Sequence, residues 1–157
     1  ILGLIHLNDG TVTWNIPRSD VGATIDAPAY HRELSIRGNL VAQANLLKQA
    51  PGPLRISSLM QRLKIDEITA GSRSMRNLLT YQTQAAAIAM AMLGHPDLLL
   101  LDEPLVALNL ECRLAFIELF NEEYRSSGKT ALITAESKDD LADLVSDFIH
   151  IDGGKNA

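Results

Sequence analysis

The sequence predicts an α/β fold, a mostly parallel sheet with an inserted helical lobe. Three observations predict it. The second half alternates strand, helix, strand, helix, strand, the rhythm of parallel strands joined by crossover helices. The run Leu98-Leu99-Leu100-Leu101 has no polar alternation, as expected of a central strand covered on both faces. Between about residues 33 and 94 the rhythm is broken by a block of helical patterns. The 157 residues are read as one domain, with residues 1–32 and 95–157 forming the α/β core and 33–94 the helical lobe.

Taken in order, residues 1–6 are apolar and end at the turn signal Asn8-Asp9-Gly10, like the tail of a helix. Ile1 rather than Met stands first, so the chain is expected to begin inside a longer gene product. Thr11–Trp14 is rich in β-formers and reads as a short strand. Val21–Ile25 reads as a second strand, ended by Pro28. Ser35 is placed to cap a helix running to about Lys48, and Pro51-Gly52-Pro53 breaks it. A second amphipathic stretch has Leu54, Ser58, Leu59 and Leu63 on one side. Ala85–Leu93 forms a small-residue helix, buried on most of its surface, that stops at Gly94 with Pro96 just beyond. Leu98–Leu101 is the next strand, and a long helix follows from about Asn109 to Ser127, stopped by Gly128. Thr130–Thr134 is another buried strand. Ser137-Lys138-Asp139-Asp140 reads as a capped helix start, and Phe148–Ile151 as the last strand before the turn Asp152-Gly153-Gly154.

Composition narrows the function classes. The net charge is -5 with no block of Lys or Arg, which argues against a nucleic-acid surface and against a polybasic membrane anchor. No apolar stretch reaches the ~20 residues of a membrane span. The lone Cys112 cannot form an internal disulfide and has no flanking His or basic cluster, so it reads as an ordinary helix residue in a cytosolic chain. The four histidines, His6, His31, His95 and His150, have no metal-ligand spacing. Tyr30 reads either as a partner contact or as loop packing.

The chemistry-bearing stretch is Leu98-Leu99-Leu100-Leu101-Asp102-Glu103-Pro104. Ligands of open α/β sheets sit at the C-terminal strand edge. An acid at the strand tip can hold Mg²⁺ through water, and the next can orient a water for attack on a phosphate. The competing reading is an acidic cap or a solvated loop pair after any buried strand.

The whole chain, in order, resembles the ATP-binding cassette (ABC) ATPases. Ala89–Pro104 is similar to the family's small-residue helix, Gly-x-Pro turn and Walker B strand. Gly10-Thr11-Val12, Val21–Tyr30, Leu34–Leu40, Gly128–Thr134 and Asp147–Lys155 are similar, respectively, to the turn after the phosphate loop, the Q-loop region, the start of the helical lobe, the strand before the switch loop and the closing strand. Among subgroups the chain most resembles bacterial peptide-antibiotic export and immunity ATPases. The resemblance implies a P-loop NTPase-like sheet, ATP and Mg²⁺ as cofactors, a transmembrane permease and a second ABC ATPase as partners, and a place at the inner face of the membrane. It assigns Asp102 and Asp26 to the metal and Glu103 to the attacking water.

The departures from the family are specific. No G-x-x-x-x-G-K-[ST] occurs in the chain, so the loop that would cradle phosphates, expected immediately upstream of Ile1, and the strands around it are missing. The signature Leu-Ser-Gly-Gly-Gln falls on Leu78-Leu79-Thr80-Tyr81-Gln82, without its serine and glycines. The switch histidine falls on Glu136, where a carboxylate facing a phosphate at ~4 Å would cost about 4 kcal/mol at an effective dielectric of about 20. The Q-loop glutamine falls on Asp26 and the D-loop aspartate on Asn109, the latter equally explained as a helix N-cap. Two functions follow from the resemblance. One is a transport ATPase of which this chain is an inactive part, driving export. The other is a non-hydrolysing subunit that pairs with an active ATPase or docks on a permease. Recombination and chromosome-maintenance ATPases are a more distant third. An isolated chain of this kind is expected to expose a sheet edge and an apolar face.

Overall fold

A computed structural model describes residues 2–4, 6, 8–25, 30–47, 49–66, 72–152 and 155–156 of the chain. Three parallel strands, β1 (Val21–Thr24), β2 (Leu98–Leu101) and β3 (Thr130–Ile133), form a sheet in the order β1-β2-β3. The register pairs Val21 with Leu98 and Leu98 with Thr130, so all three strands end level. The helices are α1 (Ile36–Ala44), α2 (Pro53–Arg62), α3 (Thr80–Met92) and α4 (Leu110–Phe120). A two-residue hairpin, β4 (Ile151–Asp152) with β5 (Lys155–Asn156), closes the chain.

Local chemistry explains most of these bounds. Ser35 caps α1, its Oγ accepting from the Gly38 N–H at 3.1 Å. Asn39 is buried and holds the turn before it: its Oδ1 accepts from the His31 N–H at 2.7 Å and its Nδ2 donates to the His31 and Ser35 carbonyls at 3.0 Å each. Pro53 sits at the first turn of α2, where a missing N–H costs nothing. Helix α3 carries alanines at 85, 86, 87, 89 and 91, all buried, and lies close on the strands. Closeness is greatest at Gly22, where a Cβ would stand 2.0 Å from the Ala91 carbonyl oxygen and 2.7 Å from Pro96 Cγ. One apolar cluster runs through α1, α2, α3, β2 and α4, with Leu40, Leu59, Ile88, Leu99 and Phe116 fully buried.

Several expected elements differ. Thr11–Trp14 forms no strand: it has β-forming residues but pairs with no strand among the described residues, and Trp14 lies instead near the Arg18 guanidinium at 5.5 Å. Leu2–Leu4 and His6 are not helical. Helix α2 buries Ile56, Leu59 and Met60, followed by Leu63, whereas Leu54 is 87% exposed, so its apolar face is rotated from the one expected. After α3 it is His95, with φ 49°, that takes the left-handed conformation. At Gly94 a Cβ would meet the tip of the Leu47 side chain at 3.0 Å, which would have to shift by a few tenths of an ångström. Helix α4 ends at Phe120 and passes into a π-helical turn, Asn121–Arg125, ahead of Gly128 (φ 71°). Ser137 does accept from the Asp139 N–H at 3.2 Å, but the segment is a 3-10 turn, Lys138–Leu141. Phe148–His150 forms no strand, and Ile151–Asp152 pairs only with β5. On the sheet, one face (Gly22, Leu99, Ile133) is covered, while on the other Ala23 and Leu132 remain exposed beside the buried Leu100.

Candidate functional site

The site sits at the C-terminal edge of β2, the position where parallel sheets receive ligands. The strand ladder runs one residue past its end on both sides. The Asp102 N–H donates to the Thr24 carbonyl at 3.3 Å, and the Thr134 N–H donates to the Leu101 carbonyl at 2.9 Å. This places the Asp102 and Thr134 side chains together: Thr134 Oγ1 donates to Asp102 Oδ1 at 2.5 Å. The same oxygen accepts from the Glu103 N–H at 3.0 Å. Glu103 is left-handed, with φ 43°, a conformation costing of order 1–3 kcal/mol for a residue with a Cβ. Pro104 and Leu105 behind it are buried, and Gln84 of α3 donates from Nε2 to the Pro104 carbonyl at 3.2 Å. Both carboxylates therefore stand exposed on a turn held from three elements.

Glu103, Thr134 and Glu136 line one small cavity of about 180 Å³ with Leu108, Arg113 and Asp140. Arg113 is committed to Asp140, its Nη2 donating to Oδ1 at 2.8 Å. The structure thus brings Glu103 and Glu136 to one cavity, with Asp102 joined to its edge through Thr134. The other described candidates do not line that cavity. Leu79, Thr80, Tyr81 and Gln82 occupy the N-terminus of α3, where Gln82 Oε1 accepts from the Leu79 N–H at 3.0 Å and Leu79 is 62% exposed. Asn109 caps α4, its Oδ1 accepting from the Cys112 N–H at 2.9 Å. Asp26 lies outside the described residues. Thr134 escaped the sequence reading as a site residue. Its signal was register: two four-residue strands ending level put the residues after Leu101 and Ile133 side by side. Cys112 is buried, and burial pushes its thiol pKa up, which disfavours the thiolate.

Two carboxylates are donors of the hard type that Mg²⁺ prefers, and that ion commonly takes only one or two from protein. Among the described residues no set of three His, Cys, Asp or Glu side chains converges on a metal position. The residues therefore fit Mg²⁺ held partly by other oxygens. The cation lining the cavity, Arg113, is already paired with Asp140.

The opposite, N-terminal edge of the sheet carries a different cluster. Arg55 of α2 makes a two-pronged pair with Glu123, at 2.6 and 2.7 Å, and donates to the Met92 carbonyl at 2.9 Å. His95 Nδ1 lies 3.5 Å from Glu123, and Lys129 donates to the His95 carbonyl. Burial, then the Arg55 charge, holds the His95 pKa below 6.5, against the pull of Glu123. Tyr124 is buried among these groups with its hydroxyl unpartnered, and burial raises its pKa.

The fold is that of ABC ATPase cassettes. A dimeric ATP-binding cassette in a post-hydrolysis state bound to ADP and phosphate superposes with a TM-score of 0.65 at 20% identity, over 78% of this chain and 55% of that one. The ATP-binding subunit of an ABC transporter gives 0.64 at 20% identity, over 76% and 50%. No family model matches the chain. In sequence it is 30% identical to the molybdenum import ATP-binding protein ModC of Rhodobacter capsulatus, over 96% of this chain and 42% of that protein. It is 37% identical to the aliphatic sulfonates import ATP-binding protein SsuB of Cupriavidus necator, over 48% of this chain and 25% of that protein. The chain is a homologue of ABC transporter ATP-binding subunits, and it spans less than half the length of these relatives.

Proposed function

We propose that the chain is part of the nucleotide-binding subunit of an ABC transporter, in which Asp102 and Glu103 serve as the Walker B pair. The observation that supports this most is the placement of both carboxylates at the C-terminal edge of β2, braced by Thr134. In this reading Asp102 holds Mg²⁺, which would supply positive charge to phosphate oxygens, and Glu103 orients a water. Asp26 senses the metal position and Glu136 occupies the switch position. Residues 33–94 act as the helical lobe on an α/β core formed by 1–32 and 95–157. The subunit would work at the inner face of the membrane, paired with a second ABC ATPase and docked on a permease. The relatives named above are import proteins, which favours uptake over the export expected from the sequence.

This chain alone is not expected to turn over ATP, for want of a phosphate loop. A second reading, a non-hydrolysing pairing or docking subunit, is favoured by the N-terminus of α3. There Leu79, Thr80 and Tyr81 stand where a close backbone approach to phosphate needs small residues. Calorimetric titration of Mg-ATP into this chain and into the longest product of its gene separates the two. Binding by the longer product alone supports the ATPase subunit. Binding by neither supports the pairing role. Tight binding by this chain would overturn the requirement for a phosphate loop.

A further inference from the structure

We infer that Thr134 is a positioning residue: its hydroxyl fixes the Asp102 carboxylate and the Glu103 turn as one unit and ties both to the segment that carries Glu136. The inference rests on the reading of Asp102 as a cation ligand. It deepens that reading by naming what sets the ligand's geometry.

The hydrogen-bond polarity leaves a single arrangement. A backbone N–H can only donate, so at 3.0 Å from Glu103 N the Thr134 oxygen must accept. Its one proton is then free for Asp102 Oδ1, 2.5 Å away. A β-branched side chain has few χ1 choices, and the Thr134 backbone is itself pinned by its N–H to the Leu101 carbonyl at 2.9 Å. The hydroxyl is therefore a rigid fixture at the end of β3, not an adaptable neighbour. It does two things at the β2 tip. It satisfies the N–H of the left-handed Glu103, which would otherwise turn to water, and it restricts an exposed carboxylate that would otherwise sample several rotamers. A cation bound at Asp102 then meets a preset oxygen, and any displacement of that oxygen pulls on Thr134, just past the end of β3 and two residues before Glu136. Preorganisation of this kind is what separates a ligand from a merely nearby acid.

The test uses the 157-residue chain with Mn²⁺ as the cation probe, read by electron paramagnetic resonance, and amide exchange at Glu103 read by NMR. Thr134→Val should speed exchange at the Glu103 amide by about tenfold, the size expected for losing one hydrogen bond, and weaken Mn²⁺ binding by a similar factor. Thr134→Ser, which keeps the hydroxyl, should restore both. A Thr134→Val chain that binds Mn²⁺ as wild type does, while Asp102→Asn loses it, overturns the role of Thr134 and leaves the Asp102 reading standing. Mn²⁺ bound equally by wild type and Asp102→Asn, or by neither, removes the cation site itself and the inference with it.

Discussion

Glu123→Gln should cost the protein about 3 kcal/mol, although residue 123 lies at the far edge of the sheet from the acidic tip. The side chains of Arg55 and Glu123 are only 13% and 10% exposed, and two short bonds join them. Neutralising Glu123 removes the opposing charge and one of its two acceptor oxygens, leaving the Arg55 guanidinium with a neutral amide oxygen and the Met92 carbonyl, beside an Nε that already has no partner. Breaking a buried pair by removing one partner costs about 3–5 kcal/mol, because the other charge stays desolvated. The lower end applies here, since Arg62 keeps its pairing with Glu122. With a urea m-value of about 2 kcal/mol/M, the unfolding midpoint should fall by about 1.5 M. Far-UV circular dichroism is the probe to use, because Trp14 lies outside the regular elements and reports only its loop. Replacing both partners, Arg55→Met with Glu123→Leu, should recover most of the loss. A Glu123→Gln midpoint within about 0.5 M of wild type would refute the reasoning, showing that Arg55 finds water at no cost.

Gly22→Ala should destabilise by about 3 kcal/mol or more, since the added methyl lands 2.0 Å from a backbone oxygen that cannot move without shifting α3; an unchanged thermal midpoint would contradict the closeness of that packing. Stability should also fall with acid through His95. Its folded pKa lies below the unfolded value of about 6.5, so the unfolded chain takes up the proton first. That contribution is present above about pH 6.5 and is lost as pH drops toward the lowered folded value. His95→Asn, which tolerates the left-handed backbone, should flatten the slope of unfolding free energy against pH in that window.

The parts of the fold visible in the sequence are those where one local cause decides. The continuous apolar run Leu98–Leu101 forms the central strand, with Leu99, Leu100 and Leu101 buried, and Ser35 and Asn109 carry their caps in their own side chains. Thr11–Trp14 and Phe148–His150 have strand composition, but a strand exists only with a partner, and propensity does not supply one. The face of α2 follows the period of its own apolar residues: Ile56, Leu59, Met60 and Leu63 recur at i, i+3, i+4 and i+7 and are buried, whereas Leu54 falls outside that set. Of the candidate site, Asp102 and Glu103 stand out in the sequence because two acids follow an apolar run. Thr134 was not, because its role depends on the alignment of two strand ends and not on any motif around it.

The connections between the strands also bear on how the chain reaches this arrangement. Strands β2 and β3 are joined through a single helix, whereas the link from β1 to β2 runs from Ile25 to Asp97 and contains α1, α2 and α3. Closing the longer loop costs more chain entropy, and its contacts are repaid only after the intervening helices have condensed. The β2–α4–β3 unit should therefore assemble early, with β1 docking last beneath α3. Gly22 sits where that final docking occurs, so substitutions in β1 should accelerate unfolding far more than they slow folding.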